Sequence, residues 1–175
     1  MEIISERECE EWLARNIGEN LTLRTVDAEY PHSVCYKLPI DTGAKTAIAR
    51  EFSGGEYALD LVPPVLLWIT CWGVFPSCEN PELFYRYRRS LGENRWLIDA
   101  PGHIIGEADL KDLECLLDMS LYFYWDASLF DAAGTFVFRC SHDDWFSIRT
   151  KSEERLQEIV ERLRRYKLEV FAGLR

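Results

Sequence analysis

The sequence predicts a single α+β domain over residues 1–175, built as a mainly antiparallel sheet with flanking N- and C-terminal helices. Three observations predict it. Helical and strand patterns mix without regular βαβ alternation. The clearest β signal, residues 121–150, reads as consecutive strands joined by short turns. Amphipathic segments with capping signals open and close the chain. Size agrees: 175 residues, 47% apolar and 13% aromatic, suit one core, and two domains would leave each half short of it.

The elements follow in order. Ser5-x-x-Glu8 is a capping box, and Cys9, Trp12, Leu13 and Ile17 form an apolar stripe at helical spacing that Gly18 ends. Leu21 to Val26 alternates like a strand, and Ser33 to Leu38 reads as a second. Asp41 caps a short helix through Ala44, Ile48 and Phe52. Tyr57 to Val62 reads as a strand that Pro63-Pro64 breaks, and Val65 to Trp72 is apolar enough for a buried central strand. Asn80-Pro81 starts a helix with proline at its first position, carrying Leu83, Phe84, Tyr87 and Leu91. Trp96 to Ile98 reads as a brief strand, Ala100 to His103 as a turn, and Ala108 to Met119 as a helix with its leucines inward. Tyr122 to Phe130 meets Thr135 to Cys140 across a glycine-containing loop, and Trp145 to Arg149 extends the hairpin. Thr150-x-x-Glu153 is a second capping box, opening a helix from about Ser152 to Val170.

Charge narrows the function classes. The net charge of −10 argues against general nucleic-acid binding, which needs a basic footprint. The longest apolar stretch, Val62 to Phe75, is too short for a membrane span, which takes about 20 residues. The N-terminal segment carries no signal-peptide pattern, and no C-x-x-C pair occurs among the six cysteines, so a cytoplasmic protein with reduced thiols is expected. From Asp99 to Asp131 there are eight acids and one base. Such a sector can steer a basic partner, although the commonest use of a charge run is a solvated helix face.

The densest cluster of reactive side chains is Cys140-Ser141-His142-Asp143-Asp144. Cys140 with His142 is a candidate thiol–imidazole pair, since residues i and i+2 share a strand face. His142 with Asp143 or Asp144 offers metal ligands, with His103 as a distant third. Against both stands a simple turn, in which Ser, His and Asp bond nearby backbone. Asp126 falls on the Tyr122, Tyr124, Ser128 and Phe130 face of its strand, which is expected to be wet. Thr42-Gly43-Ala44-Lys45-Thr46 lacks the glycine spacing of a phosphate loop. Neither a cofactor nor a metal is expected.

The stretches Trp72-Gly73-Val74-Phe75-Pro76-Ser77-Cys78-Glu79-Asn80, Ala100-Pro101-Gly102-His103, and Trp125-Asp126 with Ser141-His142-Asp143-Asp144-Trp145 resemble small uncharacterised bacterial proteins, some grouped loosely with toxin-immunity proteins. The resemblance covers about a third of the chain. It implies a protein that binds a partner and transfers no active-site residue. The expected function is therefore an acidic, immunity-type module that neutralises or docks a basic, toxin-like protein. Its expected binding residues are Glu107, Asp109, Asp112, Asp118, Asp143, Asp144 and Trp145, with no catalytic residue. The alternatives are a small hydrolase or metal-dependent enzyme built on the His142-Asp143-Asp144 turn, and a structural subunit of a larger assembly.

Overall fold

A computed structural model describes residues 1–54, 61–72 and 81–171. Among these residues seven strands form one antiparallel sheet: β1 (Glu2–Ile4), β2 (His32–Lys37), β3 (Val65–Cys71), β4 (Gly102–Ile105), β5 (Asp126–Asp131), β6 (Phe136–Ser141) and β7 (Trp145–Thr150), in the order β1-β4-β3-β5-β6-β7-β2. Among the described residues six α-helices accompany it: α1 (Glu6–Asn16), α2 (Val26–Glu29), α3 (Thr42–Glu51), α4 (Pro81–Ser90), α5 (Leu110–Tyr122) and α6 (Glu153–Leu163). The α+β class read from the sequence is the class observed.

Both faces of the sheet are covered, because alternate residues of its central strands feed two cores. Leu67 and Ile69 of β3, Leu129 of β5, Phe138 of β6 and Ile148 of β7 face α3, α5 and α6, joined by Phe84 of α4. Leu66, Trp68, Phe130 and Val137 face the other way, onto Cys9, Trp12 and Leu13 of α1 and Tyr30 after α2. The expected wet face of the β5 segment is thus corrected. Ser128 and Phe130 are buried, and Tyr122 stands outside the alternation because α5 runs on through it.

Local signals explain the helix starts. Ser5 and Glu8 form the capping box at α1, and Asp41 accepts from the Ala44 N–H at α3. At α6 the cap is Ser152, which accepts from the Arg155 N–H, while Thr150 remains in β7 and donates to the Ser152 carbonyl. That helix ends at Leu163, followed by a 3-10 turn, Arg164–Tyr166, which stops at Lys167 with φ 51°.

Two further readings are overturned. Leu21 to Val26 forms turns leading into α2, because Thr22 and Thr25 bond each other's backbone and side chains instead of a ladder partner. Trp96 to Ile98 is a turn and the strand is β4, one segment later, where Gly102 lies so close to α1 that a Cβ there would stand 2.1 Å from the Cys9 sulfur. The expected strand residues Tyr57 to Asp60 and the Asn80 cap lie outside the described residues.

Candidate functional site

One end of the sheet gathers the reactive groups. There β3 ends at Cys71, β4 starts at Gly102, β5 starts at Asp126, β6 ends at Ser141 and β7 starts at Trp145. The register sets Cys71 opposite Asp126 and Ser141 opposite Trp145. Between β6 and β7 the chain turns through residues 142–144, with Asp144 in the left-handed region at φ 62°.

Asp126 organises that turn. One carboxylate oxygen accepts from the His142 backbone N–H at 2.9 Å, and the two oxygens lie 2.9 and 3.0 Å from the His142 Nδ1. Asp143 sits 3.5 Å from the other ring nitrogen. The hydrogen bond to Asp126, reinforced by its charge, holds the His142 pKa above the ordinary imidazole value. The Cys71 sulfur completes a group of three: it, an Asp126 oxygen and a His142 ring nitrogen all lie within 4.8 Å of one another. Cys71 and Asp126 are partly buried and His142 is exposed.

Cys71 also lines a pocket of about 450 Å³. Trp68, Trp72, Tyr85 and Trp96 supply aromatic walls, with Leu97, Ile98 and Pro101 between them. Glu6, at the start of α1, is the one charged lining residue among those described. Trp96 and Ile98 are 70% and 80% exposed, far from ordinary for such side chains, and Leu83 and Leu91 add exposed apolar surface on and just after α4. A second pocket, of about 400 Å³, shares Tyr85 and Trp96, which meet edge to face.

Behind this end lies a buried polar cluster of a different kind. His103 on β4 is fully buried, flanked by Trp72 and Phe84, with Trp125 packed edge-on against both of those rings. Burial, then the nearby Arg88 charge, pushes the His103 pKa down to about 3. Arg88 donates from Nη2 to the Ala100 carbonyl at 2.8 Å, while its Nε and Nη1, like the Trp125 indole N–H, have no partner among the described residues.

Comparison with protein-family models, with curated proteins and with solved structures gives no match to this chain. Its own geometry therefore carries the reading.

The expected binding residues are placed as follows. Asp109 bonds the Met1 amine at 2.6 Å, Asp112 accepts from the Tyr87 hydroxyl at 2.8 Å, and Asp118 accepts from Thr46 at 2.9 Å. Glu107 is exposed, as are Asp143 and Asp144, and Trp145 is partly buried. The acids do not form one surface. Asp109 lies beside Met1 at the far end of the sheet, and Asp143 and Asp144 lie at the Cys71 end, separated by the length of β3, about 20 Å for a seven-residue strand.

The proposed Cys140–His142 pair is not formed. Cys140 is buried, donates to the Trp125 carbonyl at 3.4 Å, and has its pKa pushed up to about 12 by desolvation. The i, i+2 argument fails because β6 ends at Ser141 and His142 already belongs to the turn. His103 cannot join His142, being sealed inside the core. Cys71 and Asp126 take their places. The run Val65 to Trp72 gave Cys71 only an apolar setting, and its opposition to Asp126 depends on strand order.

Proposed function

We propose that the chain is a protein-binding module, of immunity type, that docks a basic partner by seating a lysine or arginine side chain in the aromatic pocket at the Cys71 end of the sheet. The observation that carries this is the pocket's lining: four aromatic residues and the Glu6 carboxylate, with no basic residue among those described. A cation over indole and phenol faces gains about 0.5–2 kcal/mol, more as it is desolvated, and a carboxylate at the rim adds direct pairing. Exposed Trp96 and Ile98 frame the entrance, and aromatic anchors of this kind dominate binding energies at interfaces. The net charge of −10 draws a basic protein toward the molecule before contact.

This reading moves the binding surface away from α5. Glu114 is engaged by both Arg50 and Lys111, and Asp109, Asp112 and Asp118 hold internal contacts, so those acids contribute a general field more than a docking face. Of the expected residues, Asp143, Asp144 and Trp145 stand at the same end of the sheet as the pocket.

The test is a titration with a lysine- and arginine-rich peptide, followed by tryptophan fluorescence at low and high salt, with a glutamate-rich peptide as control. Binding is expected for the basic peptide alone, weakening with salt. Glu6→Gln and Trp96→Ala are each expected to weaken it about 5- to 30-fold, the range of a lost interfacial contact of roughly 1–2 kcal/mol. Equal affinity in both variants would remove the pocket as the docking site.

A further inference from the structure

The geometry points to a transition-metal site at Cys71, Asp126 and His142, taking Zn²⁺ or a chemically similar ion. Three different donor types meet there: a thiol sulfur, a carboxylate oxygen and an imidazole nitrogen, all within 4.8 Å of one another. Zinc binds such atoms at about 2.3 Å for sulfur and 2.0–2.2 Å for nitrogen and oxygen, so ligand atoms around a tetrahedral ion stand about 3.3–3.8 Å apart. The observed group needs only a small contraction at Cys71. It needs a comparable widening between Asp126 and His142, whose 2.9 Å separation is that of a hydrogen bond. A bound ion replaces the proton in that bond, and the thiol proton also passes to solvent.

Two surrounding contacts favour coordination. The His142 backbone N–H already fixes one Asp126 oxygen at 2.9 Å, so the carboxylate is anchored where it is needed. Asp143, 3.5 Å from Nε2, is positioned to take the ring's second N–H when Nδ1 turns to the metal, the carboxylate–imidazole–metal arrangement that sets ligand orientation in many sites. The thiolate selects against magnesium and calcium, which take oxygen ligands. Three protein ligands leave a coordination position for water, and Cys71 sets the site against the wall of the aromatic pocket.

The test uses the full chain, stripped with a chelator and titrated with Zn²⁺ alone by calorimetry, and separately with Co²⁺ by absorption. One equivalent of Zn²⁺ is expected, with a thiolate-to-cobalt charge-transfer band. Cys71→Ser should abolish that band. His142→Ala and Asp126→Asn should each weaken Zn²⁺ binding by at least about 10-fold, and Asp143→Asn by less. Circular dichroism checks that each variant folds. No Zn²⁺ uptake by the wild-type chain overturns the assignment, as does a cobalt band that survives Cys71→Ser and disappears in Cys115→Ser. Because peptide binding is read on the metal-free chain, failure here leaves the docking proposal standing, and the reverse.

Discussion

His103 and His142 show how one side chain is put to opposite uses within a single sheet. His103 sits inside the core beside Arg88, where burial and that positive charge outweigh the pull of Glu93, and is neutral well into acid. His142 sits in a surface turn against Asp126 and holds its proton above the usual pH. The two environments meet at adjacent residues, since Trp125 belongs to the aromatic packing around His103 and Asp126 carries His142. The lesson is that reactivity at this sheet end is decided at the step from residue 125 to 126, where β5 begins.

The comparison is broken most severely on the closed side. Trp125→Ala is expected to cost about 3–5 kcal/mol, the range for truncating a buried aromatic, whereas Asp126→Asn, at the sheet end, should cost far less. Urea unfolding of the two variants measures the contrast; equal losses would mean that Asp126 is as structural as its neighbour.

Acid sharpens it next. His103 has its folded pKa depressed, so below the unfolded value of 6.5 the unfolded chain binds more protons and stability falls until about pH 3. Glu93, with its pKa lowered to about 2 by its hydrogen bonds from Arg95, adds its own loss only below its unfolded value of 4.5. Among the described groups His103 therefore dominates the window from 6.5 to 4.5, with a slope of at most about 1.4 kcal/mol per pH unit. His103→Leu should flatten chemical-denaturation stability across that window, and an unchanged slope would contradict the buried neutral imidazole.

The smallest effect has the opposite sign. His142 has its folded pKa raised, so its contribution is complete below 6.5 and is lost as pH rises through the raised value. NMR titration should find His142 protonated to higher pH than His103, with Asp126→Asn returning it toward the ordinary value. An identical titration in that variant would show that Asp126 does not hold the ring.

The fold was legible where local physics decides it. Ser5 and Asp41 carry their own caps, and the glycine-containing loop between two apolar runs marks the β5–β6 hairpin, so the helices and hairpins appear where those signals fall. The site was legible only in part. His142, Asp143 and Asp144 stood out as a dense cluster, but Cys71 is 71 residues away from His142 along the chain and joins it because β5 lies between β3 and β6. Strand order is a long-range outcome that no segment states. The same limit explains Asp109 and Asp112, whose partners Met1 and Tyr87 lie on other elements, so a helix read as a free acidic face is in fact tied down.

The edge strands carry a consequence for biosynthesis. Both edges of the sheet, β1 and β2, come from the first 37 residues, yet β1 pairs with β4 and β2 pairs with β7, His32 lying opposite Thr150. A ribosome delivers the outer strands first and their partners late, so the sheet cannot close at its β2 border until residues 145–150 have emerged. Pairings over such long sequence separations are slow to form. During that interval the β2 segment has no ladder partner, and its outer side waits longer still for residues 169–171, where the Lys37 N–H donates to the Glu169 carbonyl at 2.8 Å and the Phe171 N–H to the Cys35 carbonyl at 2.9 Å.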